Sequence, residues 1–334
     1  MTVLYRFIYF ILFFISFLVI GYFVANRNIY ALNDTYQYYD FFRSIKEIGL
    51  HYDGRFEVGF FITTLISTYL FNEHEYYFFL LFLILVFSYA LIGKEVVVNN
   101  EEKEFLFLCL LVFLLFSSWF KASSTNGLRQ GISIVFLYYS LLKLFNGQSL
   151  KCFLFYVLSL SFHSSALLII PFVPFLKLLD RVNWLRYLLL SLLYPLGVFE
   201  SIVQLSSNMT GVPLYSSIKQ YGSSIQSYRD GFQLDLYIYT VGYFFIFSFF
   251  RRYISNCRRS KFDILLKLYV VMSLLYFVFG YANYSNRYGY MAWALIPVLQ
   301  SYIVYSIKIE DGYKNIFVFL LLPFSIIYFI SGVS

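Results

Sequence analysis

Apolar residues in this chain come in long unbroken runs, and polar or charged residues collect between them. The first run, 3–25, holds a single arginine. Further runs lie at 76–93, 105–120, 132–145, 150–162, 166–179, 185–200, 234–250, 264–281, 288–306 and 315–330. A bilayer crossing needs about 20 mostly apolar residues in a helix. The pattern therefore predicts an all-α polytopic membrane protein with about eleven transmembrane helices, within a range of ten to twelve. No internal repeat is evident, and the whole chain, 1–334, reads as one integral membrane domain.

Lysine and arginine enrichment marks cytoplasmic loops. The segment 251–261, RRYISNCRRSK, carries five basic residues and no acid, which makes it the firmest cytoplasmic anchor. Counting spans from it places 99–104, 143–151, 177–186 and 308–314 inside. It places 121–131, the turn at 162–164, 201–233 and 283–287 outside. A short run, 56–71, is ambiguous. As a span it gives twelve helices and an outer N-terminus, which charge counting favours. As an interfacial helix it gives eleven and an inner N-terminus. Sixteen residues rise only about 24 Å, short of the roughly 30 Å hydrocarbon core, and Thr63, Thr64 and Ser67 offer a polar face. The expectation is eleven spans, with 26–75 as a first periplasmic loop carrying two interfacial helices, 34–47 and 56–70. A long second outer loop follows at 201–233.

Composition agrees: 60% of residues are hydrophobic and 13% charged, with mean hydropathy +0.70, which excludes a soluble domain. The net charge of +7 is explained by cytoplasmic loops, so no nucleic-acid partner is implied. The run 3–25 exceeds the 7–15 residues of a typical signal-peptide core and reads as an uncleaved span. Cys109, Cys152 and Cys257 have no metal-ligand spacing.

The candidate chemistry lies in the outer segments. KASSTNGLRQG, 121–131, interrupts two apolar runs, and its Arg129 would cost about 2.5–3.5 kcal/mol inside a membrane helix. On the eleven-span reading nine basic residues face outward against the general preference: Arg27, Arg43, Lys46, Arg55, Lys121, Arg129, Lys219, Arg229 and Arg287. Arginine's planar fork suits phosphate, so a converging set would hold a lipid-linked pyrophosphate. Arg129 and Arg287, each at the lip of a span, are best placed. The competing reading is arginine snorkelling to headgroups. His163, in SFHSSAL, suits donation to a leaving group or helix capping. Asp34, opening DTYQYY, suits capping or a general base. Glu57, in FEVGF, suits a base whose pKa low polarity would raise. Tyr215, Tyr221 and Tyr228 offer stacking faces or belong to an aromatic belt. No zinc-binding, P-loop or dinucleotide motif is present, so neither a metal nor a cofactor is expected.

The order of NDTYQYY, FEVGF, NGLRQGI, SFHSSALLIIP and NRYGY after a first span resembles the EpsG-like branch of the Wzy-type polysaccharide polymerases of bacterial inner membranes. The resemblance implies a GT-C-like glycosyltransferase with its active site facing the periplasm. It would move a growing glycan from undecaprenyl pyrophosphate to the non-reducing end of another lipid-linked repeat unit. Carried over to this chain, Asp34, Glu57 and His163 become catalytic residues, and Arg129, Gln130, Arg287 and Tyr36 contact substrate. Arg229 and Lys121, from the outer charge count, join the pyrophosphate-binding set. Phe56 stands where the family often has proline. The implied partners are undecaprenyl-pyrophosphate-linked oligosaccharide, membrane lipid, a chain-length regulator and a flippase, in O-antigen, capsule or exopolysaccharide synthesis. An O-antigen ligase is the rival enzyme and a lipid-linked oligosaccharide flippase the rival from another class.

Overall fold

A computed structural model describes residues 3–49, 54–99, 102–178, 183–220 and 231–333, and their regular structure is all helical. The helices are α1 (Val3–Ala25), α2 (Asn33–Ile48), α3 (Val58–Leu70), α4 (His74–Val96), α5 (Lys103–Phe116), α6 (Ser118–Thr125), α7 (Leu128–Phe145) and α8 (Ser149–Phe162). After a 3₁₀ stretch, Ser164–Phe172, come α9 (Val173–Leu178), α10 (Trp184–Leu192), α11 (Val198–Thr210), α12 (Leu214–Gln220), α13 (Leu234–Phe250), α14 (Asn256–Phe279), α15 (Ser285–Trp293), α16 (Ile296–Ser306) and α17 (Asp311–Ile330).

Among the described residues four helices are long and apolar enough to cross a bilayer: Leu4–Ala25, His74–Val96, Asn256–Phe279 and Asp311–Ile330. A fifth is obtained if α5 and α6 count as one broken span. Several other apolar runs fold into shorter pieces for reasons already present in the sequence. Pro171 and Pro174 interrupt 166–179, whose described part forms the 3₁₀ stretch and α9. Pro195 lies in the turn that divides 185–200 between α10 and α11. Proline lacks the N–H that a helix interior needs. The expected loop 201–233 is helical in its first part, as the end of α11 and α12. The basic loop 251–261 is a 3₁₀ turn running into α14, fixed by a two-pronged Arg251–Asp263 pair at 2.6 and 2.7 Å.

The chain forms two compact units, residues 1–167 with 300–334, and 168–299. In the first, α7 and α8 pack as a hairpin, α4 lies against α1 and α7, and α17 against α5. Arg6 at the start of α1 binds Glu104 at the start of α5 by two hydrogen bonds of 3.0 and 3.2 Å. The run 105–120 does not make one straight helix. Ser117 accepts a hydrogen bond from Phe120 N at 3.2 Å and caps a new helix, so α6 leaves α5 at 84°.

The two segments expected as interfacial helices, 34–47 and 56–70, are helical as α2 and α3, but their faces differ in sense. α2 buries Tyr38, Phe41, Phe42 and Ile45 and exposes Tyr36, Arg43 and Lys46, the ordinary amphipathic arrangement. α3 does the reverse of what its polar face suggests. Thr64 and Ser67 are fully buried, their hydroxyls bonded to Phe60 O and Thr63 O of their own helix. The exposed face carries Val58, Ile62, Ile66, Tyr69 and Leu70.

In the second unit α14 forms the buried centre, flanked by α13 and α15. Thr240 ties them together, accepting from Trp293 Nε1 at 2.8 Å through its hydroxyl and from Tyr269 OH at 2.7 Å through its carbonyl.

Candidate active site

Three of the residues singled out in the sequence meet in the first unit, although they are far apart along the chain. Arg129 lies in the first turn of α7, Glu57 immediately precedes α3, and His163 ends α8. Arg129 Nη1 donates to Glu57 Oε2 at 2.5 Å. The other carboxylate oxygen accepts Ser164 N–H at 3.1 Å and lies 3.8 Å from His163 Nδ1. Ser165 N–H donates to that Nδ1 at 3.1 Å, which puts the neutral ring's proton on Nε2.

Close backbone approach assembles this cluster. A Cβ on Gly59 would strike Ser161, coming within 2.8 Å of its carbonyl oxygen, so only glycine lets the start of α3 touch the end of α8. Gly131 does the same between α7 and α6, where a Cβ would lie 2.5 Å from Ser123 Cβ. Across the α7–α8 hairpin the buried Ser159 hydroxyl donates to Ser133 O, and the buried Ser133 hydroxyl donates to His163 O.

Arg129 sits in an aromatic box. Its guanidinium carbon is 4.4 Å from the Phe56 ring centre and 5.9 Å from those of Tyr38 and Phe60. Phe56 is buried against Phe41 and Tyr38 and supplies a wall for the arginine. Such cation–π contacts contribute about 0.5–2 kcal/mol each. Arg129 Nε–H is buried with no hydrogen-bond partner.

The electrostatics at Glu57 overturn one expectation. Partial burial pushes its pKa up, as low polarity should, but the Arg129 charge, backbone N–H groups and His163 outweigh that and hold it below the ordinary carboxylate value. Glu57 is the anchored counter-charge of Arg129, not a carboxyl poised near neutrality.

The remaining assignments divide. Asp34 does not cap α2: the residue before the helix is Leu32, which makes no side-chain cap, and Asp34 lies inside the first turn. Asn126 caps it from elsewhere in the fold, its Oδ1 accepting Asp34 N–H at 3.1 Å. Tyr36 is exposed beside Tyr30 and Tyr39. Gln130 is half-buried next to Arg129. Lys121 is engaged with α17, its ammonium 3.4 Å from Tyr328 O and 4.5 Å from that ring's centre. Arg229, with Tyr221 and Tyr228, lies outside the described residues.

Arg287 belongs to the second unit, in the first turn of α15, with its guanidinium carbon 5.0 Å from the Tyr284 ring centre. Tyr284 precedes that helix in a left-handed conformation, φ 58°, a strained state that bulky residues rarely adopt and that clusters at functional sites. Tyr215 is occupied by Glu200 at 2.9 Å and by stacking on Tyr281.

Among the described residues of the first unit the outer cations take separate partners. Arg43 pairs with Glu47, Arg55 with Asp40, and Lys46 with Asn72 O. Arg27 is buried, donating to Val24 O at 2.6 Å and Thr125 O at 3.2 Å, with Phe78 3.9 Å away. Sequence reasoning also missed Tyr38, Asn126 and Thr35, whose roles depend on contacts between distant segments.

The EpsG family model matches residues 10–334 of the chain. No curated protein matches it.

Proposed function

From the premise that this chain belongs to the EpsG family, we propose that it is a membrane glycosyltransferase that polymerises lipid-linked glycan repeat units. The observation that carries the reading is the convergence of Arg129, Glu57 and His163, which come from three of the segments that also carry the family resemblance. The donor is a glycan on undecaprenyl pyrophosphate. The acceptor is the non-reducing end of a second lipid-linked unit.

In the proposed reaction an acceptor hydroxyl oxygen bonds to the donor's anomeric carbon. The bond from that carbon to the pyrophosphate oxygen breaks, its electron pair leaving with undecaprenyl pyrophosphate. Arg129 supplies positive charge to the departing group, aided by its unpaired Nε–H, and His163 Nε2–H donates to a phosphate oxygen. Sharing Arg129 with pyrophosphate loosens its hold on Glu57, whose pKa then rises toward the ordinary range. Glu57 becomes able to take the acceptor proton only when donor is bound; Asp34 is the other carboxylate available for that step.

The eleven-span topology belongs to the same proposal. Arg6 against Glu104 puts the N-terminus on the same side as 99–104, and Arg27 against Thr125 joins the other end of α1 to the 121–131 segment. Both pairings support eleven crossings, since twelve would set each pair on opposite faces. The site then faces the periplasm of the bacterial inner membrane. A ligase would use the same donor, but its loss removes every repeat unit from lipid A core, whereas loss of a polymerase leaves one.

The test is purified protein with a defined undecaprenyl-pyrophosphate oligosaccharide. A ladder of products is expected from the wild type, and Arg129→Ala should lower its rate by about 10²–10³, as for loss of one transition-state donor. No ladder from folded wild-type protein would overturn the reading.

A further inference from the structure

The α6 helix ends four residues before Arg129, and its end is held from outside. Thr125 O accepts two hydrogen bonds, from Arg27 Nη2 at 3.2 Å and from Thr35 Oγ1 at 3.0 Å. The next residue, Asn126, receives Asp34 N–H. Arg27 and Thr35 are 6% and 0% exposed, so these are interior contacts that water does not contest. Among the described residues no carboxylate pairs with Arg27. Its counter-charges are the carbonyls at the C-terminal ends of α1 and α6, where helix dipoles leave partial negative charge.

We infer that Arg27, with Thr35 and Asn126, is a latch that sets the position of Arg129, making Arg27 a positioning residue for the proposed active site. Several features place it on that path. α6 is short and turns away from α5 at 84°, so α5 does not extend straight into the segment that carries Arg129. Only Gly127 and Leu128 separate Asn126 from Arg129. The same α2 that receives Asn126 also presents Tyr38 to Arg129. Removing Arg27 would free Thr125 and let the start of α7 drift from Glu57. A misplacement of about 1 Å can cost about 10²-fold in rate. Arg27 itself, enclosed by two helix ends and Phe78, touches no substrate.

The inference rests on the proposed function for its kinetic consequence but not for its geometric one, and two measurements separate them. Ser124 in α6 is fully buried. In a background lacking the native cysteines, Ser124→Cys should react slowly with an impermeant thiol reagent on intact membranes. Adding Arg27→Gln should speed labelling by about ten- to hundredfold, the equivalent of losing one charge-assisted hydrogen bond. This reads the latch whether or not the protein polymerises anything. Unchanged labelling overturns the inference and leaves the function untouched.

The second measurement is a double-mutant cycle on polymerisation. Arg27→Gln should lower kcat about tenfold or more with little change in KM, and Arg27→Lys should restore part of the loss. In an Arg129→Ala background the Arg27 change should add nothing. Independent, multiplying losses would show that Arg27 acts by another route and overturn its positioning role.

Discussion

Two arginines of the first unit, Arg27 and Arg129, each keep a buried Nε–H without a hydrogen-bond partner, yet they meet different counter-groups. Arg27 closes on the backbone carbonyls of Val24 and Thr125, and Arg129 on the Glu57 carboxylate. Carbonyl dipoles neither titrate nor leave, whereas a carboxylate can be protonated or displaced by a competing anion. The charge at Arg27 is thereby fixed in place, while the charge at Arg129 can change partner. Burial follows the same division. It pulls the Arg27 pKa down to about 9, offset only in part by Tyr38 and Tyr77, and at Glu57 the Arg129 charge, backbone N–H groups and His163 together outweigh burial and hold the pKa below the ordinary carboxylate value. A buried arginine held by carbonyls is a brace, and one held by an exchangeable anion is a candidate binding group.

The contrast is broken most severely by Glu57→Gln, which leaves Arg129 buried without its counter-charge. Polymerising activity should fall about 10²-fold or more, and thermal stability in detergent by about 1–3 kcal/mol. Because the folded pKa of Glu57 is depressed, its stabilising contribution is present above the unfolded carboxylate value of about 4.3 and is lost as pH drops through the lower folded value. Wild-type melting temperature should therefore decline on acidification below about pH 4.3, and Glu57→Gln should flatten that decline. An equal decline in both proteins would mean that Glu57 is not held as described.

A smaller effect is expected from Gly59→Ala, which adds a methyl where Ser161 already sits. It should cost about 1–3 kcal/mol as overpacking and weaken the Glu57–Ser164 contact, measured as a lower melting temperature with reduced activity. The smallest belongs to Lys121→Ala. That ammonium is engaged with Tyr328 and not with Glu57, so stability should stay within about 0.5 kcal/mol and chain length should be unchanged on a gel. Shortened polymer from this variant would return Lys121 to the site.

How much of this was legible can be judged at particular residues. The first helix, Val3–Ala25, coincides with the first apolar run because nothing in it competes with helix formation and lipid. The break inside 105–120 was written as Ser117, but a serine is an ordinary residue until its hydroxyl is seen capping the next turn. Prolines 171, 174 and 195 were legible breakers, although the long hydropathy runs hid their effect. Thr64 and Ser67 were legible as a polar face and are nonetheless buried, because a hydroxyl can satisfy itself on its own helix backbone. At the site, Arg129, Glu57 and His163 stood out singly by charge and position, while Tyr38, Thr35 and Asn126 lay inside the quoted segments NDTYQYY and NGLRQGI without being singled out.

By itself the amino-acid sequence determined that this is a helical membrane protein and which ionisable groups lie at the ends of its apolar runs, since both follow from the local balance of apolar and charged residues along one chain. Which of those groups meet was decided by the tertiary structure alone. The Glu57–Arg129 pair spans 72 positions and the Arg27–Thr125 bond 98. Contacts at that separation depend on how whole helices pack, on a bend at Ser117 and on two glycines that let backbones approach, none of which local periodicity encodes.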